Sequence, residues 1–138
     1  MRHAYACPIR WSDMDAYGHV NNGAFVTYLE EARVDAFFRR GAEQGQTGLE
    51  GGVVIRRHEI DYLKPVHYTD LLRIELWVPE VRHAYFRVAY EGFVADARVC
   101  TARSVLVPYD LTAGRLRRLT AAEREWLAQL ADGSGDRA

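Results

Sequence analysis

The ten residues from Asp13 to Asn22 hold most of the groups in this chain that could do chemistry: Asp13, Asp15, Tyr17, Gly18, His19, Asn21 and Asn22. Four kinds of chemistry fit such a run. Asp and Asn oxygens accept from the free N–H groups of a helix's first turn, so the run could simply form a turn and cap a helix. Asp13, Asp15 and Gly18 also occupy positions 1, 3 and 6 of a calcium-binding loop. Ala24 stands at position 12, where a bidentate Glu is needed, and this argues against a metal. His19 could be a general base, although no Ser or Cys lies near it in sequence to be activated. Finally, a carboxylate just before a long helix shares space with the unpaired N–H groups and the positive end of the helix dipole. A carbonyl oxygen held on those donors would be polarised while Asp15 attacks its carbon or deprotonates a water. Residue types alone leave capping and catalysis both open, because loops that cap and loops that function share this composition.

The elements that must position this run are legible in the hydrophobic period. Tyr5 to Trp11 is β-prone and broken by Pro8, which suits an edge strand. Phe25, Tyr28, Leu29, Ala32 and Ala36 recur at helical spacing and predict one long helix from Asn22 to about Gly41. Gly41 to Gly52 carries five glycines in twelve residues and reads as a long mobile connection of the kind that often serves as a lid. Strand-like segments follow at about 53–63, 71–78, 84–94 and 97–107, and the short links from Pro79 to His83 and around Asp96 suit antiparallel hairpins, since a parallel crossover needs a dozen or more residues. Thr120-Ala121-Ala122-Glu123 has the spacing of a capping box and opens a helix to about Ala131. Strand, long helix, four antiparallel strands and short helix make an α+β domain over 1–131, with 132–138 read as a disordered tail.

Composition narrows the class. A chain of 138 residues, 49% apolar, is long enough for one ordinary core. Its formal charge of −1, from 18 basic and 19 acidic residues, offers no global field for nucleic acid or an anionic membrane. No apolar leader or membrane-length stretch is present, and Cys7 and Cys100 lack CxxC spacing, so a reducing cytoplasm is the expected setting.

Trp11-Ser12-Asp13-Met14-Asp15-Ala16-Tyr17-Gly18-His19-Val20-Asn21-Asn22, followed by Tyr28-Leu29-Glu30-Glu31-Ala32-Arg33, resembles the 4-hydroxybenzoyl-CoA thioesterase-like branch of the hotdog-fold acyl-CoA thioesterases. Ile60-Asp61-Tyr62-Leu63-Lys64-Pro65 and Asp70 are similar to that family too, and the likeness runs from about Tyr5 to Tyr109. It implies a long helix wrapped by a curved antiparallel sheet of about five strands. It also implies a homodimer or homotetramer with active sites between subunits, and hydrolysis of an acyl-CoA to free acid and coenzyme A. Coenzyme A enters as part of the substrate, and no cofactor or metal is expected. By the resemblance Asp15 is the catalytic carboxylate, the backbone N–H of Asn22 is the oxyanion donor, and His19 and Asn21 shape the turn. Some members carry a histidine where Asn22 stands, so an imidazole role there is not available.

Weaker candidates carry plainer readings beside the functional ones. Arg56, Arg57 and His58 could meet the coenzyme A phosphates or form a solvated strand face, the reading favoured here. Tyr17 and Tyr62 could line an acyl pocket or belong to the core. Cys100 and Ser104 share a strand face with Ala102 and read as small packing residues. Rival functions are acyl hydration or dehydration, which would call for a His-containing pair, and non-catalytic acyl binding.

Overall fold

The computed structural model describes residues 1–45, 49 and 52–132. β1 (His3–Cys7) stops before Pro8, which has no N–H to give to a ladder, and a 3-10 turn (Trp11–Asp13) comes next. α1 (Ala24–Val34) continues through a π-helical segment (Asp35–Arg39) into α2 (Arg40–Glu43), two residues beyond the end expected at Gly41. The stripe read from the sequence is the buried one: Phe25, Tyr28, Leu29, Ala32 and Ala36 all lie in the core, joined by Phe37. Each large side chain among them is worth roughly 1.5–3 kcal/mol of burial.

The strands are β2 (Val53–Tyr62), β3 (Leu72–Val81), β4 (Phe86–Val94), β5 (Ala97–Asp110) and the short β6 (Arg115–Leu116). They pair antiparallel in the order β1-β3-β4-β5-β2, with β6 beside β5. The long helix lies against this curled sheet, packed chiefly on β1 and β3. β1 and β2 end the order, so each keeps one open edge.

Three register shifts bend the sheet. One leaves Arg56 unpaired between the pairs Ile55–Leu106 and Arg57–Val105. A second, between Trp77 and Glu80, carries β3 past its expected end at Val78 and through Pro79. The third follows Gly92, where a Cβ would lie 2.5 Å from the Cys100 sulfur, so that sulfur takes the space a side chain would need. Cys7 and Cys100 are free and buried, and burial chiefly pushes their thiols up to about 12 and about 11.

α3 (Ala121–Ala128) opens on the expected capping box. Glu123 N–H donates to Thr120 Oγ1 at 3.1 Å, and Thr120 N–H donates to Glu123 Oε1 at 2.8 Å. The helix ends three residues short of the expected Ala131. Glu123 also accepts the N–H of Leu49 at 3.0 Å, and Leu49 is 1% exposed. One residue of the glycine-rich connection is therefore a core residue pinned to α3. Residues 46–48, 50 and 51 of that expected lid, and 133–138 of the expected tail, lie outside the described residues.

Candidate active site

The run from Asp13 to Asn22 closes on itself. A bridge pairs Met14 with Val20, the N–H of Asp15 donates to the carbonyl of His19 at 2.9 Å, and Gly18 N–H donates back to the Asp15 carbonyl at 3.1 Å. Gly18 makes this turn with φ +77, a backbone region that a side chain disfavours. Val20 N–H donates to Val66 O at 2.8 Å and fastens the loop to the segment that leaves β2.

Within this loop the two aspartates part. Asp13 is 6% exposed, and its carboxylate accepts from the Tyr28 hydroxyl at 2.6 Å, from Arg10 N–H at 2.9 Å and from the Arg10 guanidinium at 3.1 Å. Burial on its own would raise this carboxyl, but these donors outweigh it and hold Asp13 below the usual carboxylate range. Asp15 is half-buried, and one oxygen, Oδ1, accepts the Tyr17 N–H at 2.9 Å. No donor occupies its second oxygen among the described residues.

Asn21 sets the start of the helix. Its Oδ1 accepts the Gly23 N–H at 2.8 Å, and its carbonyl accepts the Ala24 N–H at 3.0 Å. The second bond orients the Asn21–Asn22 peptide and turns the Asn22 N–H away from the helix, where it meets no protein acceptor among the described residues. The Asn22 carbonyl accepts the Tyr62 hydroxyl at 3.0 Å, and the Tyr62 ring stands edge-on to Phe25, centroids 5.3 Å apart.

These groups open on a cleft of about 590 Å³ lined by Asp15, Tyr17, His19, Asn21, Asn22, Phe25, Tyr62, Lys64 and Val66 among others. Tyr17 is 85% exposed at the rim, and Tyr62, 45% exposed, forms part of the wall. The His19 ring packs on His67 at 4.9 Å, while its backbone carbonyl is what meets Asp15. Among the described residues the cleft thus offers a carboxylate oxygen of Asp15 and the N–H of Asn22, each without a protein partner, beside an aromatic wall and Lys64.

A sequence profile of the thioesterase-like superfamily matches residues 9–130. The chain belongs to that superfamily. It is 29% identical over 127 residues to a 1,4-dihydroxy-2-naphthoyl-CoA hydrolase of Synechococcus elongatus, covering 90% of this chain and 93% of that one. Over 66 residues it is 35% identical to the long-chain acyl-CoA thioesterase FadM of Escherichia coli, covering 48% of this chain and 50% of the relative. A thioesterase from Thermus thermophilus, crystallised with coenzyme A and Zn, superposes with a TM-score of 0.77 at 28% identity, covering 92% of each chain. The thioesterase is thus a thioester hydrolase on the hotdog fold that the Asp13-to-Asn22 resemblance implies.

The basic trio on β2 of this thioesterase is divided. The shift at Arg56 leaves Arg57 beside Val105 and Arg87 on the face of the sheet turned away from α1. Arg56 and Arg57 line a cleft of about 380 Å³ there with Tyr85 and Arg87. His58 points the other way, its Nδ1 2.6 Å from Ser104 Oγ. Ser104 is accordingly more than the small packing residue expected from its strand position: it is buried, and it also accepts the Tyr90 hydroxyl at 2.9 Å. Lys64, the one lysine among eighteen basic residues, also lines the Asp15 cleft, and its rarity is the signal of it that the sequence offers.

Proposed function

We propose that the protein hydrolyses acyl-CoA, with Asp15 as nucleophile or general base and the Asn22 N–H as oxyanion donor. The observation that carries this reading is that a carboxylate oxygen and a backbone N–H, each without a protein partner among the described residues, border one cleft. The thioester carbonyl oxygen would sit on the Asn22 N–H, where negative charge develops as the carbonyl carbon turns tetrahedral. As general base, Asp15 would take a proton from the attacking water and return it to the departing thiolate of coenzyme A. As nucleophile, it would form a mixed anhydride that water then opens. Tyr62, through the Asn22 carbonyl, would hold the first turn still during either route.

The coenzyme A thioesters in the names of the two relatives, and the coenzyme A bound by the Thermus thermophilus protein, support the substrate class. Lys64 is the cation best placed at the cleft for the phosphates. Arg56 and Arg57 line the separate cleft and would meet the phosphates only where a neighbouring subunit brought that cleft beside an Asp15 cleft. The open edge of β2, with Val54 and Ile55 each 38% exposed, supports assembly into a homodimer or homotetramer through β2. No helix among the described residues is long and apolar enough to cross a membrane, and an acyl-CoA substrate would fit a cytoplasmic setting.

A panel of short, long and aromatic acyl-CoAs tests the reading, with free thiol release as the readout. Turnover by the wild type and its loss in Asp15→Asn are expected; a wild type that releases no thiol from any of them would overturn it. Label found in the Asp15 carboxylate after a single turnover in labelled water would identify the anhydride route, opened by water at the aspartyl carbon.

A further inference from the structure

The second cleft, on the face of the sheet turned away from α1, has no part in the Asp15 chemistry. It is lined by Arg56 and Arg57 of β2, Val105 of β5, Tyr85 just before β4 and Arg87 on β4. No residue lines both this cleft and the one at Asp15. Arg57 here and Tyr62 there are five residues apart on β2, about 17 Å at the rise of a strand.

A bulge builds the cleft. Strict alternation along β2 would set Arg56 and Arg57 on opposite faces. The register shift leaves Arg56 outside the ladder, and both arginines line the one cleft. Arg57 and Arg87 pair with Val105 from either side, so their backbones stand two strand spacings apart, about 10 Å. Three guanidiniums thus gather around one apolar residue. Arg57 is paired with Glu59 at 2.6 Å and Arg87 with Glu80 at 2.7 Å, but neither glutamate lines the cleft. Arg56 has no protein partner among the described residues. In a chain with a formal charge of −1, this positive charge is local, and a cleft lined by one sign of charge draws in the opposite one.

We propose that this cleft binds a nucleoside diphosphate, at a site separate from the thioester cleft. The planar fork of a guanidinium fits a pair of phosphate oxygens, and three forks spread over two strand spacings suit more than one phosphate group. A volume of about 380 Å³ lies in the range of small-molecule sites and exceeds what a bare phosphate needs. Val105 and the Tyr85 ring, which already carries the Arg87 guanidinium 5.5 Å from its centroid, supply apolar surface for the base. The site stands or falls independently of the thioester reading.

Calorimetric titration of the wild type with ADP, GDP, AMP, pyrophosphate and adenosine is the test. A nucleoside diphosphate should bind and adenosine should not. AMP should bind at least about tenfold more weakly than ADP, the worth of one hydrogen bond to a charged group. Arg56→Gln and Arg87→Gln should each weaken the diphosphate by roughly tenfold to a hundredfold on the same ground. Arg56 has no partner in the fold to lose, so the urea midpoint of Arg56→Gln should not move. Tyr85→Ala should bring ADP down to the affinity of pyrophosphate. Lys64→Met should leave ADP affinity as it is, because Lys64 lies in the other cleft.

Failure of wild type to bind either diphosphate overturns the proposal, and so does binding that both arginine variants leave intact. ADP binding lost in Lys64→Met alone overturns it too, by placing the phosphates in the Asp15 cleft. A raised KM for octanoyl-CoA in Arg56→Gln, with no binding of free ADP or GDP to wild type, overturns it and gives the cleft to the coenzyme A of a neighbouring copy. Arginine-dependent ADP binding by a protein that hydrolyses no thioester upholds the site and sinks the proposed function instead.

Discussion

Asp13 and Asp15 are two residues apart on one loop and have opposite fates. Asp13 is buried and saturated: a tyrosine, a backbone N–H and a guanidinium take up its oxygens. Asp15 keeps one oxygen bound to the loop and the other open to the cleft. The difference shows how a fold assigns roles to identical side chains. A carboxylate whose donors are all supplied by the protein holds the protein together, and one that is half supplied has capacity left for a substrate or water.

That contrast can be broken by exchanging which carboxylate is lost. Asp15→Asn should lower kcat/KM roughly 10²–10⁴-fold, the worth of a positioned acid or base, with urea unfolding unchanged within about 0.5 kcal/mol. Asp13→Ala should do the reverse in kind, losing about 2–3 kcal/mol in the same urea measurement, because the Tyr28 hydroxyl is left buried without its acceptor. If the two variants behaved alike, the contrast would fail. Acid sharpens it further. Asp13 has a folded pKa below its unfolded value, so its contribution is complete above about pH 4 and disappears as pH falls through the lower, folded value. Wild type should therefore lose more stability than Asp13→Asn between about pH 4 and pH 2. The smallest effect belongs to Tyr62→Phe, which deletes one hydrogen bond to the Asn22 carbonyl; a loss near 1 kcal/mol corresponds to about a fivefold fall in kcat.

Sequence period predicts what period controls. The buried stripe of α1 and the antiparallel pairing of β3 with β4 and of β4 with β5 follow from local spacing that the tertiary structure does not override, whereas the pairings of β1 with β3 and of β2 with β5 are non-local and no spacing gives them. A bulge defeats the same logic, because plain alternation would put Arg56 on the face of His58, and the unpaired residue at Arg56 takes it out of that alternation. Leu49 is hidden for another reason: a lone Leu among glycines has no period, and its acceptor, Glu123, is 74 residues away. His58 and Ser104 meet across 46 residues, a pairing that no spacing announces. At the site, the turn-forming bonds and the open carboxylate oxygen of the Asx-rich run fall on different residues. Asn21 does the turn-forming work that the composition suggested, and the second oxygen of Asp15 is left free of it.

The two buried thiols carry a practical consequence. With their pKa values pushed up to about 12 and about 11, Cys7 and Cys100 are almost wholly protonated at neutral pH, and it is the thiolate that attacks an alkylating reagent. Cys7 lies on edge strand β1, Cys100 on interior strand β5. Alkylation of each, followed by mass, would therefore clock how often the sheet opens at its margin and at its centre, with two stopwatches already built into the native chain.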